Sequence, residues 1–231
     1  MVHFTLSFVL VSLLALATLH GAHAQEYSVV YRAGNTAGGL RWKNELGAPY
    51  TLEKMRAATG FIHYLFKQTT DTKYVDKITL FIEDIDGVAK TSRVGNSAEI
   101  HYSARYIQGI ATQLQPAFEG VLFHEMTHVW QWNGNGQANG GLIEGIADFV
   151  RNRAGYVDRT WVKNGQGDRW DQGYSVTMRF LNYCNDKRAD FVAELNKMMR
   201  YRYSDNYFQL LLGKTVDQLW SDYKRFYGQG L

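Results

Sequence analysis

The stretch HEMTHVWQWNGNGQANGGLIEGIADFV, residues 124–150, decides how this chain is read. It sets two histidines and three carboxylates into two otherwise apolar segments with helical spacing, and parts them with a loop of asparagine and glycine. His124 and His128 are four apart, so on a helix they share a face with their Cβ atoms about 5–6 Å apart. Two imidazoles so placed can hold one ion. Zinc takes nitrogen ligands, and a catalytic site needs a third protein ligand with one position left for water. Glu125 lies at the edge of the same face, where it can accept the proton of that water. A chain of this composition contains about 0.003 chance copies of the His-Glu-x-x-His spacing, so chance explains it poorly. The other reading, two histidines hydrogen-bonded inside a core, leaves Glu125 costly to bury without a partner.

The third ligand has to come from further along. A histidine six residues after His128 would complete one extended zinc signature, but that position is Gly134, and Gln131 stands where that signature has glycine. The next candidates are Glu144 and Asp148, again four apart and bordered by Ile143, Ile146, Ala147 and Val150. Glu144 is expected on the metal. Asp148 is expected behind it, accepting a hydrogen bond from the distal nitrogen of His124 or His128 and fixing its tautomer; the reverse assignment makes Asp148 the ligand. The loop NGNGQANGG supplies turns with positive φ that let the second helix fold back on the first. The whole arrangement implies one zinc ion per chain, coupled to folding.

Working outward, residues 1–24 carry no Lys, Arg, Asp or Glu, and an apolar run from Phe4 to Leu19 leads to Ala22-His23-Ala24. This is the pattern of a secretory signal peptide cut after Ala24, with a run too short for a membrane anchor. Residues 25–231 then form a single domain, with no membrane attachment after cleavage and a monomer expected. The formal charge of +3 has no Lys/Arg block behind it, so a nucleic-acid partner is not expected. Cys184 is the only cysteine, so no intrachain disulfide forms, and it reads as a buried small hydrophobe.

Strands are expected at 27–33, 77–85 and 98–107, with a Gly-rich turn at 34–42 and a turn around Asp86-Gly87. Asp84 and Asp86 alternate as in a calcium loop, but the glycine and the bidentate acid such a loop needs are missing, so no calcium is expected there. Helices are expected at 52–68 behind a Thr51 cap, at 117–132, 142–154, 173–184, 189–201 and 215–228. Strands first and helices after give an α+β class, with a small mixed or antiparallel sheet in the N-terminal half and a mostly helical C-terminal half.

HEMTHVWQWNGNGQANGGLIEGIADFV, with EIHYSARYIQG and GYSVTMRFLNY, resembles the plant basic secretory protein family over nearly the whole of residues 25–231. More distantly, His124, Glu125 and His128 with Glu144 and Asp148 look like the gluzincin zinc peptidases. The resemblance implies a zincin-like fold, in which the small sheet packs on the His-Glu-x-x-His helix, and an extracellular protein of plant defence in the apoplast or cell wall. In gluzincin-like folds an edge strand pairs with the peptide, which here points to the strand of His101 and Tyr102. Some gluzincins steady the oxyanion with a tyrosine whose place here falls at Trp170, so Tyr174, one turn later, is the candidate donor. His101 as helper base or ligand is the weaker reading beside a surface role.

The function expected is therefore a secreted zinc metallopeptidase acting on peptide or protein substrates, with Glu125 as general base. The alternative is a catalytically weak or inactive defence protein that keeps the zinc fold and binds a cell-wall or microbial ligand through its aromatic surface. A metal-dependent hydrolase of a non-peptide bond stands third.

Overall fold

The computed structural model describes residues 25–68 and 72–228. The signal peptide expected at 1–24 lies outside the described residues. The elements in chain order are β1 (Glu26–Tyr31), α1 (Ala37–Glu45), α2 (Gly47–Leu65), β2 (Lys77–Glu83), β3 (Ala89–Val94), β4 (Ser97–Ser103), α3 (Ala104–Gly109), α4 (Leu114–Trp130), α5 (Gly140–Arg153), α6 (Tyr174–Lys187), α7 (Phe191–Met198), α8 (Asn206–Leu212) and α9 (Val216–Phe226). The class is α+β, as expected. Among the described residues no helix is long and apolar enough to cross a membrane.

The four strands form a mixed sheet in the order β1-β2-β4-β3, parallel except for the antiparallel pair β3/β4. Register aligns Ile78, Leu80 and Ile82 of β2 with Ala98, Ile100 and Tyr102 of β4. All six are buried, so alternation gives the sheet one apolar face, and α2 and α4 cover the core there. α4 is apolar almost all round. It packs against α2, β3, β4 and α5, which is why its sequence shows no polar stripe. Glu119, buried on α4, accepts hydrogen bonds from the hydroxyls of Tyr50 and Tyr156, with Lys54 Nζ 3.5 Å away, tying α4 to α2 and to the loop after α5.

The helical half is held by rings. Phe180 of α6 touches Trp170, Phe208, Trp220 and Tyr223, joining α6 to α8 and α9. Burial pushes the Cys184 thiol well up, as befits a packing residue on α6. Thr215 and Gln218 close a reciprocal capping box at the start of α9.

Several expected boundaries are corrected. The Gly-rich segment is not a turn but α1, capped by Thr36; Gly38 is required because a Cβ there would stand 1.8 Å from the carbonyl oxygen of Ala104 on α3. α2 starts at Gly47, so Thr51 is not a cap; its hydroxyl donates to Gly47 O and accepts from Trp42 Nε1. The third expected strand stops at Ser103, whose hydroxyl accepts from Tyr106 N and starts α3. The span read as a single turn between two strands holds a further strand, β3, and Asp84 and Asp86 of that region pair with Arg105. β3, not β4, is therefore the edge of the sheet beside α4. α8 has no counterpart in the expected elements.

Candidate metal centre

α4 and α5 pack side by side, and the loop between them closes with Asn139 capping α5 through Leu142 N. α4 contributes His124, Glu125 and His128; α5 contributes Glu144 and Asp148. His124 Nε2 is 3.1 Å from His128 Nε2 and 3.1 Å from Glu144 Oε2, and His128 Nε2 is 3.7 Å from that same oxygen. Among the described residues these three form the group able to hold a metal ion. An ion with tetrahedral bonds of about 2.0–2.1 Å sets its ligand atoms ~3.3 Å apart. The donor spacing fits one ion.

The residues behind the donors fit as well. Asp148 is buried, and its Oδ1 lies 2.8 Å from His124 Nδ1, so the carboxylate holds that proton and leaves Nε2 toward Glu144. Gln131 lies 3.0 Å from His128 Nδ1 through Nε2, which also donates to Ile143 O at 3.3 Å, while its Oε1 is buried without a partner. Turning that amide gives the orphaned oxygen His128 Nδ1–H as its donor, at the expense of the Ile143 bond. Burial works against charge on His124, but hydrogen bonds to Asp148 and Glu144 overcome it and raise its pKa to about 9. Burial likewise opposes charge on Glu144, and the two histidines carry its pKa far below the usual carboxylate range.

Glu125 is buried beside this cluster, and Thr91 of β3 donates to its Oε2 at 2.7 Å. The Thr91 hydroxyl is also 3.1 Å from the Glu125 carbonyl oxygen. Tyr174 opens α6 and stacks on His124 with ring centroids 6.0 Å apart. Its φ is +44°, directly after Gly173 at +100°, a backbone state a bulky residue adopts only under constraint. Burial and then the charges of Glu144, Asp148 and Glu125 raise its hydroxyl pKa. These groups line a cleft of about 740 Å³, with residues 88–93 along one wall and Val121, Ile143, Arg151 and Trp161 among the others.

The other sequence candidates lie elsewhere. His101 is on the sheet face away from α4, with Nδ1 2.8 Å from Glu83 Oε2 and its ring on Phe81, so it is neither ligand nor helper base. Trp170 is buried against Phe180 and Phe208. Sequence reasoning missed Thr91 and Gln131; a threonine in AKTSRV carries no motif, and Gln131 registered only as a missing glycine.

Two histidines and a glutamate converge on one point, with a second glutamate at their side, as a group that could hold a metal ion in an α+β frame. The chain belongs to the basic secretory protein family: the family profile described as "Peptidase of plants and bacteria" matches residues 23–223. A relative from Boswellia serrata named "Basic secretory protease" is 48% identical over 59 residues, which cover 26% of this chain and 67% of that protein. No solved structure matches.

Proposed function

We propose that this chain is a secreted, zinc-dependent metallopeptidase with a zincin-like fold, its residues 25–231 forming one catalytic domain. The observation that carries this reading is the convergence of His124 Nε2, His128 Nε2 and Glu144 Oε2, with Glu125 held beside them by Thr91. His124, His128 and Glu144 would hold the ion, and Asp148 fixes the tautomer of His124. Zinc bound there supplies Lewis-acid polarisation of the scissile carbonyl and acidifies a water to a pKa of about 7.

The chain's own residues do the rest. The Glu125 carboxylate accepts a proton from the attacking water and passes it to the leaving amine nitrogen, so the C–N bond breaks with the amine neutral. The Tyr174 hydroxyl donates to the substrate oxygen as negative charge develops on it. The strained backbone at Tyr174 supports a functional role for this residue over simple packing. Secretion is supported by the leader-like residues 1–24 and by the relative's printed name, and plant defence by family resemblance.

The test is Glu125→Gln. The purified variant is expected to keep one zinc per chain by metal analysis while casein or peptide cleavage falls by at least a hundredfold. Full turnover in that variant refutes the mechanism. Zinc present in the wild type without cleavage of any peptide library selects the non-enzymatic binder.

A further inference from the structure

At one end of the cleft, past His128 and Gln131, the wall changes character. Lys73, in the segment leading into β2, and Arg93, near the end of β3, both line it, together with Asn133. Register places Arg93 opposite Ala98, on the α4 side of the sheet. Its Nη2 donates to Tyr74 O at 3.1 Å. Lys73 sets its Nζ 5.2 Å from the ring centroid of Trp132. Among the described residues no carboxylate pairs with either cation, whereas Arg151 farther along the cleft is matched with Asp158 at 3.6 Å. Burial and then the Arg93 charge push the Lys73 pKa down to about 8, so the two cations burden one another.

Lys73 is partly buried and Arg93 exposed, and the two cations stand together at the cleft with no carboxylate paired to either among the described residues. We propose that Lys73 and Arg93 form a subsite for a carboxylate of the peptide substrate, an aspartate or glutamate side chain on one side of the scissile bond. Arg93 offers a planar fork of donors and Lys73 a compact charge over the Trp132 ring, which together suit an anion reaching in from an extended chain. The acidic cluster of Glu125, Glu144 and Asp148 lies further along the same cleft. Zinc bound there would cancel two of these three negative charges, yet the metal end would stay less positive than the Lys73–Arg93 end, and that difference favours one direction for a peptide with one acidic residue. This inference rests on the peptidase reading and adds specificity to it.

The experiment uses the zinc-loaded chain and a set of quenched fluorescent peptides that differ only in carrying Glu, Gln or Lys at each of four positions on either side of the cleaved bond. A preference in kcat/KM of about ten- to a hundredfold for Glu over Gln is expected at one position. Lys73→Glu together with Arg93→Glu is expected to turn the preference toward Lys at that position. The milder Lys73→Gln and Arg93→Gln variants, checked by thermal melting, are each expected to shrink it if the double variant does not fold. Cleavage of all peptides with no Glu preference, or a preference untouched by these variants, overturns the subsite and leaves the peptidase reading standing. If no peptide is cleaved, the peptidase reading fails instead. Fluorescence anisotropy with the same peptides then decides the subsite: tighter binding of Glu than Gln peptides, lost in Lys73→Gln and Arg93→Gln, supports it, and equal binding rejects it.

Discussion

Gly145 follows directly on Glu144 and faces Thr177 of α6. A Cβ built there would stand 2.3 Å from Thr177 Cγ2 and 2.5 Å from its Cβ, about an ångström short of ordinary contact. Thr177 has no room to give: its Oγ1 accepts from Gly173 N and donates to Trp170 O, both at 2.8 Å, which fixes its rotamer. Gly145→Ala must therefore push α5 away from α6. Overpacking of this kind costs about 1–3 kcal/mol, and the alanine returns ~1 kcal/mol of helix propensity. With the cost at its upper end, because backbone has to move, the net loss is about 2 kcal/mol. For a chain of this size that lowers the melting temperature by about 4–8 °C. The ion site suffers more, because Glu144 rides on the displaced helix and ligand distances tolerate only about ±0.2 Å. Zinc affinity is expected to fall by tenfold or more. Gly140→Ala on the same helix is the steric control, since nothing lies within 4 Å of its Cβ direction, although at the first position of α5 it gains less helix propensity. Urea unfolding and competition with a fluorescent chelator read both quantities. A Gly145→Ala protein as stable and as metal-tight as Gly140→Ala would refute the packing argument.

Other perturbations test the site itself. Asp148→Asn leaves the shape but weakens the grip on His124 Nδ1, and zinc affinity or turnover is expected to drop about 10- to 100-fold; unchanged titration curves would reduce Asp148 to scaffold. Thr91→Val removes the donor to Glu125 Oε2, so kcat is expected to fall about tenfold with zinc content intact, and Thr91→Ser to restore it; equal kcat in all three proteins removes Thr91 from the machinery. In the zinc-free protein His124 keeps its proton up to a pKa of about 9, above the ordinary value of 6.5. The stability that this proton confers is complete below pH 6.5 and disappears as pH rises through 9. Loading zinc at pH 7 must expel that proton, so affinity is expected to climb about tenfold per pH unit from 7 toward 9, with one proton released per ion by calorimetry in paired buffers. A flat affinity over that range contradicts it.

The cluster of His124, Glu125, His128, Glu144 and Asp148 was legible because its chemistry is periodic. Residues four apart on apolar helices announce a shared face, and both halves of the cluster use that spacing. β3, α1 and α3 lack such a period. β3 buries almost nothing, since one face and one edge are open, so AKTSRV shows no apolar alternation. α1 spends two glycines on close approach, to α3 at Gly38 and to Tyr31 at Gly39, and glycine reads as a turn. α3 continues without a break from β4, and only the Ser103 cap marks the change. Thr91 and the Lys73–Arg93 pair depend on contacts between distant segments, which no local spacing encodes.

β3 ends the sheet, and among the described residues its outer row of backbone donors and acceptors has no neighbouring strand. An open border of this kind invites the same strand of a second copy to zip onto it and bury the cleft in a closed pair. Lys90 and Arg93 stand on that strand, one on each face, so a β3-on-β3 pairing would bring like charges to the seam. Like charge on that strand disfavours such self-pairing while still suiting chains that bring negative charge.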